Sequence, residues 1–301
     1  MHKIEIIFEQ MLPIITEALG DHINNNGNIP KRGRNSKFSD AKVITLSLAA
    51  EFLSLDSENR LFDLIKDSAF FCSHGLIERS AFNRRRRLLC HYFNTVLEYL
   101  SERIVPNEDA LIVDSLPIEV CRFARAKRAR VCKEDFETAP DYGYSAAQRN
   151  TYFGYKLHGL CGVSGVFKKI DLSKASIADI HYLQDIRDNI SHCILLGDKA
   201  YLSAEIQLDL FQTQGVRLVT PKRVNQKDAR EYPKIFRRLR KRIETLFSQL
   251  CDQFMIKRNY AKSFLGLATR IISKIVSLTL AQFVNKFHNQ KPINEVKYAF
   301  S

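Results

Sequence analysis

Residues 109–117, DALIVDSLP, are the most informative stretch of this chain for its fold. Its apolar run, Ala110–Val113, predicts a buried strand, and Asp114 follows that strand directly. The same arrangement returns in residues 193–201, CILLGDKAY, where a second apolar strand ends at Asp198. An aspartate contributes little to the packing of a buried strand, so its placement at two strand ends indicates a site.

A third acid, Glu244, lies in the basic helical stretch RRLRKRIETLFSQL, residues 237–250. Between and after the acids, the apolar periodicity predicts further strands and helices. The GVSG sequence predicts the turn of a hairpin. These further elements are strands Tyr152–Cys161, Val166–Leu172 and Val216–Thr220, and helices Ile177–Asn189, Ser203–Gln214, Glu231–Ile256 and Phe264–Phe287.

The order of these elements is three strands, helix, strand, helix, strand, helix. This is the order of a ribonuclease H-like α/β fold, a mixed sheet whose first three strands are antiparallel and whose faces are covered by helices. In that architecture the ends of the first and fourth strands are neighbours, and the last helix approaches them. Asp114, Asp198 and Glu244 occupy these three places, and this agreement between topology and acid placement is more specific than any single motif.

The first 105 residues predict helices only: Ile4–Ala18, Ala41–Leu53 capped by Ser39 or Asp40, Asn59–Lys66 and Arg79–Leu100. We therefore predict a helical DNA-binding domain over residues 1–105 and a catalytic domain over residues 106–301.

Three converging carboxylates are suited to hard divalent cations, because Mg²⁺ prefers oxygen ligands. Two such ions about 4 Å apart have the geometry for attack on a phosphodiester. We therefore predict that Asp114, Asp198 and Glu244 bind two Mg²⁺ ions, with Mn²⁺ able to substitute. Each acid also has a structural alternative: either aspartate could cap a turn, and Glu244 could pair with Arg240. Glu231 and Asp252 are rival helical acids.

Composition favours a polyanionic partner, because the formal net charge is +13. A run of about 18 apolar residues, which would predict a membrane span, is not seen. The seven cysteines are scattered singly without CxxC spacing, which is typical of free thiols in a reducing cytosol. We therefore expect a cytoplasmic, nucleoid-associated protein that does not bind a membrane.

Several groups of basic residues are candidate DNA ligands, since phosphate contacts come mainly from Arg and Lys. One group is the NRRRR run of the helix Arg79–Leu100, and another follows the first strand. A third group surrounds the acids. A solvated charged face is the alternative for each group. The candidates are Arg84, Arg85, Arg86, Arg87, Arg122, Arg125, Lys127, Arg128, Arg130, Lys199, Arg237, Arg240 and Lys241. His158, in a strand, is interpreted as a core histidine rather than a catalytic base.

Five segments together resemble bacterial insertion-sequence transposases of the DDE type, specifically the nine-eighty-two group. They are IVDSLPIEVCRFARAKRARVCKE, PDYGYSAAQRNTYFGYKLHGL, LLGDKAYLSAE, LVTPKR and RRLRKRIETLFSQL. The resemblance spans roughly residues 35–290. It implies a ribonuclease H-like fold, Mg²⁺ as cofactor, and cutting and joining of DNA at the element's terminal inverted repeats. It also implies that Asp114, Asp198 and Glu244 are the catalytic acids, with Arg240 as the family's arginine.

This chain departs from the family pattern at three positions. Arg237 stands where a tyrosine is common, Cys251 where a lysine is common, and Ala200 where the family has a glycine. An alanine there is strained if the backbone needs a positive φ. The resemblance implies double-stranded DNA as partner, both terminal repeats and target, and a homodimer on the paired ends. Two alternatives stay open: an inactive, DNA-binding transposase derivative, and a ribonuclease H-like nuclease that only hydrolyses.

Overall fold

The computed structural model describes residues 3–33, 35–146, 148–221 and 232–300. Glu231, the predicted first residue of the long basic helix, lies outside these ranges. The strands are β1 (Ala110–Cys121), β2 (Asp141–Ser145), β3 (Asn150–Gly162), β4 (Phe167–Lys174), β5 (Ile194–Leu196) and β6 (Arg217–Val219). The helices are α1 (Lys3–Leu19), α2 (Asp40–Phe52), α3 (Glu58–Ile65), α4 (Ala69–Ser73), α5 (Arg79–Leu88), α6 (Cys90–Ile104), α7 (Tyr182–Ile186), α8 (Ala204–Gln214), α9 (Lys234–Asp252) and α10 (Phe264–Val284).

The chain divides into two compact units. The helical unit comprises Met1–Ile104 together with Gln249–Ser301, and the sheet unit comprises Val105–Ser248. The residues assigned from the sequence to one domain, 106–301, are thus distributed over both units.

The helical unit is built around α10. This helix packs against α2, α5 and α6, and α1 packs against α2 and α6. Ser39 caps α2, because its hydroxyl accepts a hydrogen bond from the Lys42 N–H. The hydroxyl of Ser277 in α10 donates to the Leu48 carbonyl of α2 at 3.0 Å, which joins the two buried helices.

Residues Phe264–Asn289 are long and apolar enough to cross a membrane by length and composition alone. However, 83% of this apolar window is buried inside the protein. Arg270 and Lys274, near the middle of α10, are also buried and ion-paired. This is the environment of a core helix.

The prediction of one helix over Arg79–Leu100 is wrong, because the chain turns at Leu89 between α5 and α6. Leu89 ends α5 with ψ near 5°. The turn buries the Leu89 side chain while Leu88 beside it remains exposed. Packing of a single leucine thus overrides a helical periodicity that continues across the break.

The sheet has the order β2-β3-β1-β5-β6, and β4 also pairs with β3. β1 and β4 are antiparallel to β3, whereas β5 runs parallel to β1 and β6 parallel to β5. A cluster of apolar residues under α7 and α8 fills one face. This mixed sheet flanked by helices confirms the predicted ribonuclease H-like α/β fold.

β1 is longer than predicted and does not end at Asp114. It continues to Cys121 because the long strand β3 pairs with it from Leu111 to Cys121. Pro117 is tolerated there because β5 pairs only as far as Ile112, which leaves that edge of β1 without a described strand.

Two further differences concern short elements. β2 carries Gly143 and was not predicted; it forms by pairing with the first five residues of β3. The predicted helix Ile177–Asn189 is mostly replaced by 3-10 turns, with regular α-helix only in α7. The hairpin between β3 and β4 is confirmed, and Gly165 in its turn has φ +87°, which favours glycine.

Candidate active site

The register of β1 and β5 brings two aspartates together. The last paired residues of these parallel strands are Ile112 and Leu196. Asp114, within β1, and Asp198, just beyond β5, each follow two residues later, and neighbouring strands lie about 4.8 Å apart. The two acids are therefore side by side at the point where β5 ends, and the charge of Asp198 acts on Asp114.

The carboxyl group of Asp114 is held in an environment that disfavours its charge. Burial is the largest influence and, with the negative charges of Asp198 and Asp179, it raises the pKa of Asp114 to about 6. A hydrogen bond from the Ser115 N–H at 2.8 Å and the cation of Arg240 oppose this rise. Burial and the two neighbouring acids thus outweigh the hydrogen bond and the cation that favour the charged carboxylate.

Asp198 is oriented by the turn that follows it. Its carboxylate accepts a hydrogen bond from the Ala200 N–H at 2.7 Å and caps the 3-10 turn Lys199–Tyr201. Ala200, the alanine at the family's glycine position, does not have a positive φ. The replacement therefore introduces no backbone strain at this turn. The buried ring of Tyr201 packs against Gly197, the residue before Asp198.

Helix α9 passes over the Asp114 face of the sheet. Arg240 Nη2 lies 3.7 Å from Asp114 Oδ2. Two turns later, the Phe247 ring lies 3.3 Å from where a side chain on Gly159 would begin, and Gly159 is the register partner of Asp114. Glycine at 159 therefore allows the close approach of α9 to β3.

Glu244 lies on α9 between Arg240 and Phe247, one helical turn from each. The buried face of α9 contains Ile243, Leu246 and Phe247, so Glu244 lies at the edge of that face rather than within it. Its own side chain is exposed, and no ion pair joins it to Arg240 in the described residues. Across the described ranges, no group of three His, Cys, Asp or Glu side chains is arranged to hold a metal ion.

Asp179 is an acid near this site that sequence reasoning missed. It lies in a 3-10 turn, 3.0 Å from Lys156 Nζ, and its charge influences Asp114, Tyr152 and Tyr201. No motif marked it, because it fell inside a segment interpreted as an amphipathic helix.

His158 is a buried core residue, as predicted. Its Nε2 lies 2.7 Å from the Ser173 hydroxyl, and its ring stacks on Tyr182 at 4.8 Å between centroids. Burial lowers the pKa of His158 to about 4, so the imidazole is neutral at pH 7.

Most of the predicted DNA-binding residues in the sheet unit point into solvent. Arg240 is the exception, because it is partly buried against Asp114. The exposed residues are Arg122, Arg125, Lys127, Arg128, Arg130, Lys199, Arg237 and Lys241.

Contact of all four residues Arg84–Arg87 with DNA would require all four side chains to face solvent, and the structure contradicts this. Arg84 is exposed and Arg87 partly so, but Arg86 is buried and paired with Glu51 and Glu58. Arg85 is half-buried and bonds to Asp40 and to the Phe38 carbonyl. Consecutive residues on a helix point about 100° apart, so a run of four cannot lie on one face.

A ribonuclease H-like sheet with adjacent aspartates at neighbouring strands defines a class of α/β enzymes that act on nucleic-acid phosphodiesters. Within that class, the chain belongs to the transposase DDE domain family, whose model matches residues 106–280. This match covers more than half of the chain. No curated protein and no solved structure matches the chain significantly.

Proposed function

We propose that this transposase performs divalent-metal-dependent DNA cleavage and strand transfer at the terminal inverted repeats of an insertion sequence of the nine-eighty-two group. The observation that carries the proposal is the β1–β5 register, which sets Asp198 beside Asp114. The exposed cations on the same unit support a polyanionic substrate.

The acids present fit a divalent cation. Asp114 and Asp198 supply hard oxygen donors in one place, and the negative charge of Asp198 acts on the carboxyl group of Asp114. Asp114, Asp198 and Glu244 would hold two Mg²⁺ ions, or Mn²⁺ in their place. Such ions, when bound, activate the attacking hydroxyl and stabilise the leaving oxygen.

Each residue has a distinct task in this proposal. Asp114 of β1 and Asp198, just beyond β5, supply two ligands, and exposed Glu244 of α9 supplies the third. Arg240, now against Asp114, is available to a substrate phosphate once a cation neutralises that carboxylate. In strand cleavage a water oxygen bonds to phosphorus, the P–O3′ bond breaks, the water loses a proton to solvent, and the departing O3′ takes up a proton to become a 3′ hydroxyl. In strand transfer that 3′ hydroxyl loses its proton and its oxygen bonds to a phosphorus of the target DNA, while the P–O3′ bond of the target breaks and leaves a target 3′ hydroxyl.

The decisive experiment incubates the purified protein with labelled terminal-repeat DNA and Mg²⁺ and resolves nicked and joined products. Asp114→Asn, Asp198→Asn and Glu244→Gln should each reduce both products by at least about a hundredfold, since each removes a ligand of the reacting centre. DNA affinity should stay equal or rise, because each change removes negative charge near a phosphate. Asp252→Asn, on the same helix as Glu244, is the matched control and should retain activity.

The two alternatives give different results in this assay. A nuclease that only hydrolyses would yield nicked DNA without joined product, and an inactive derivative would bind DNA without either product. A Glu244→Gln variant with full activity would remove that residue from the site while leaving the aspartate pair in place. We also propose that two copies act together on the paired DNA ends, in the bacterial cytoplasm where that DNA lies.

A further inference from the structure

The sheet unit carries an unusual cluster of exposed aromatic rings beside exposed cations. The cluster, here called the aromatic–basic surface, consists of Phe123, Tyr142, Tyr144, Arg122, Arg125 and Arg128, all exposed. Tyr142 is 41% and Tyr144 63% exposed. Single exposed aromatic residues are ordinary, but several exposed rings close to cations indicate a binding surface.

The alternation of β2 accounts for the exposure of the two tyrosines. Tyr142 and Tyr144 are two residues apart and so point to the same side of the strand. Gly143 between them points to the other side, where the Ala175 carbonyl would lie 2.7 Å from any added side chain. Close packing therefore occupies one side of β2 and leaves the tyrosine side open.

Two of the exposed rings are in contact, and the third lies on the same strand. The Phe123 and Tyr142 centroids are 5.8 Å apart in an edge-to-face arrangement, and Tyr142 rests on buried Phe153 at 5.0 Å. Tyr144 follows one pleat further, about 6.7 Å along the strand. This spacing allows flat groups to stack on successive rings.

The adjoining cations select an anionic partner. Residues 122–133 contain six Lys and Arg and no Asp or Glu. Asp141, the nearest acid on β2, is engaged with the Tyr142 N–H at 2.7 Å. Phosphates and flat bases together describe a nucleic-acid strand, but a closed duplex hides its base faces within the stack. Aromatic side chains gain from contact only where bases are unpaired.

We propose that the aromatic–basic surface binds unpaired bases of a DNA strand, with its arginines on the flanking phosphates. That the nucleic acid is DNA rests on the proposed function. β1 connects Asp114 directly to this surface, because Cys121 precedes Arg122. Seven residues of strand span about 23 Å, or about seven nucleotides of a stacked strand. The bound bases thus lie about seven nucleotides from the site of cleavage, in a locally opened duplex.

Fluorescence anisotropy of the full-length protein in EDTA tests this directly. The probes are a labelled duplex of about 30 base pairs, the same duplex with about six central mismatches, and an oligo(dT) strand. The wild type should bind the mismatched duplex about tenfold more tightly than the closed one, since stacking contributes about 1–3 kcal/mol per base.

Tyr144→Ala should abolish this preference while leaving affinity for the closed duplex and its salt dependence unchanged. Tyr144→Phe should retain the preference, and Tyr144→Leu should not, because stacking needs a ring. Phe211→Ala, at an exposed phenylalanine of α8, is the matched control and should behave as wild type. Tyr142→Ala repeats the test, with a thermal melt to show that its contact with Phe153 is not needed for folding.

Equal binding of closed and mismatched duplexes, or a preference that survives Tyr144→Ala and Tyr142→Ala, would overturn the inference. Cleavage of terminal-repeat DNA by the same preparation would show that the proposed function still holds. Absence of both DNA binding and cleavage would remove the proposed function together with the inference.

Discussion

Asp114 combines a half-buried position with a neighbouring aspartate, and this combination makes it sensitive to pH. Folding raises its pKa to about 6, mainly through burial. An unfolded aspartate has a pKa of about 3.9, so between about pH 4 and 6 the native protein binds a proton that the unfolded chain has released. The free energy of unfolding therefore falls as pH rises through this window.

Asp114→Asn should remove this pH dependence. We expect the metal-free variant to be more stable than the wild type by about 1–3 kcal/mol at pH 7.5, and nearly equal to it at pH 4. Urea unfolding in EDTA across this range measures the difference. Asp188→Asn, at an exposed aspartate, should follow the wild-type curve. An Asp114→Asn curve parallel to the wild type at every pH would contradict the assigned pKa.

The same carboxyl group links pH to cation binding. Protons and divalent cations compete for Asp114, so Mg²⁺ or Mn²⁺ should raise the melting temperature at pH 7.5 and have much less effect at pH 5. Asp114→Asn should show little cation effect at either pH. Thermal melts with and without about 5 mM cation measure this. A cation effect of equal size at pH 5 would place the binding elsewhere.

At the scale of elements, a buried ionic network joins three helices of the helical unit. Glu51 of α2 lies 3.0 Å from Arg86 of α5, 3.3 Å from Arg270 and 2.6 Å from Lys274 of α10. Burial alone would raise the pKa of Glu51, but the three cations outweigh it and hold that pKa below its ordinary value. Because Lys274 is fully buried, removing the shared carboxylate would leave several buried cations without their anionic partner.

Glu51→Gln should therefore lower the free energy of unfolding by about 3–5 kcal/mol. Glu17→Gln breaks an ion pair to Arg103 at 2.8 Å whose two side chains are each 58% exposed, and should cost less than about 1 kcal/mol. Urea denaturation of both variants supplies the comparison. Similar costs for the two changes would mean that the buried network does not stabilise the fold.

Helix α5 contains one arginine that is available for DNA contact and, two residues later, one that stabilises the fold. Arg84→Ala should reduce the slope of log affinity against log salt by about one without changing stability, because its side chain is exposed. Arg86→Ala should destabilise the protein, because it leaves Glu51 with fewer partners. DNA titrations at several salt concentrations, paired with thermal melts, distinguish the two. An unchanged slope for Arg84→Ala would make this residue a solvated surface position.

At the scale of the whole molecule, the two ends of the chain build one unit. Residues Met1–Ile104 and Gln249–Ser301 share a core although 144 residues of the sheet unit intervene. The interior of that core is α10, whose residues from Gly266 to Val284 are nearly all buried. The N-terminal helices therefore depend on a segment that is distant in sequence.

A chain truncated after Ser248 should lose the ordered helical unit. Without α10, the buried faces of α2 and α6 are exposed to water, so we expect aggregation or loss of cooperative unfolding. Leu278→Ala, a single change inside α10, should cost about 2–5 kcal/mol in the full chain. Circular dichroism melts of both proteins test this. A truncated chain that melts like the full one would contradict the role of α10.

Local patterns predicted much of the fold and the strands that precede the two candidate aspartates. The apolar runs before Asp114 and Asp198, the hairpin around GVSG and the helix α1 all follow from periodicity and turn residues that act within a few positions. The predictions failed where contacts with residues distant in sequence determine the length of a strand or the end of a helix. β1 extends past Asp114 because β3 is long enough to pair with it, and the helix breaks at Leu89 because the core receives that side chain.

The order of amino acids was enough to predict the fold class, the basic character of the protein and the candidate acids, because apolar periodicity and charge can be read along the chain. Which of these residues meet depends on the packing of distant elements. The parallel register of β1 and β5 sets Asp198 beside Asp114, and the packing of α10 takes Arg86 into the interior while Arg84 stays outside. Neither the aspartate pair nor the burial of Arg86 can be predicted from a local pattern, because both depend on contacts between residues more than 80 positions apart.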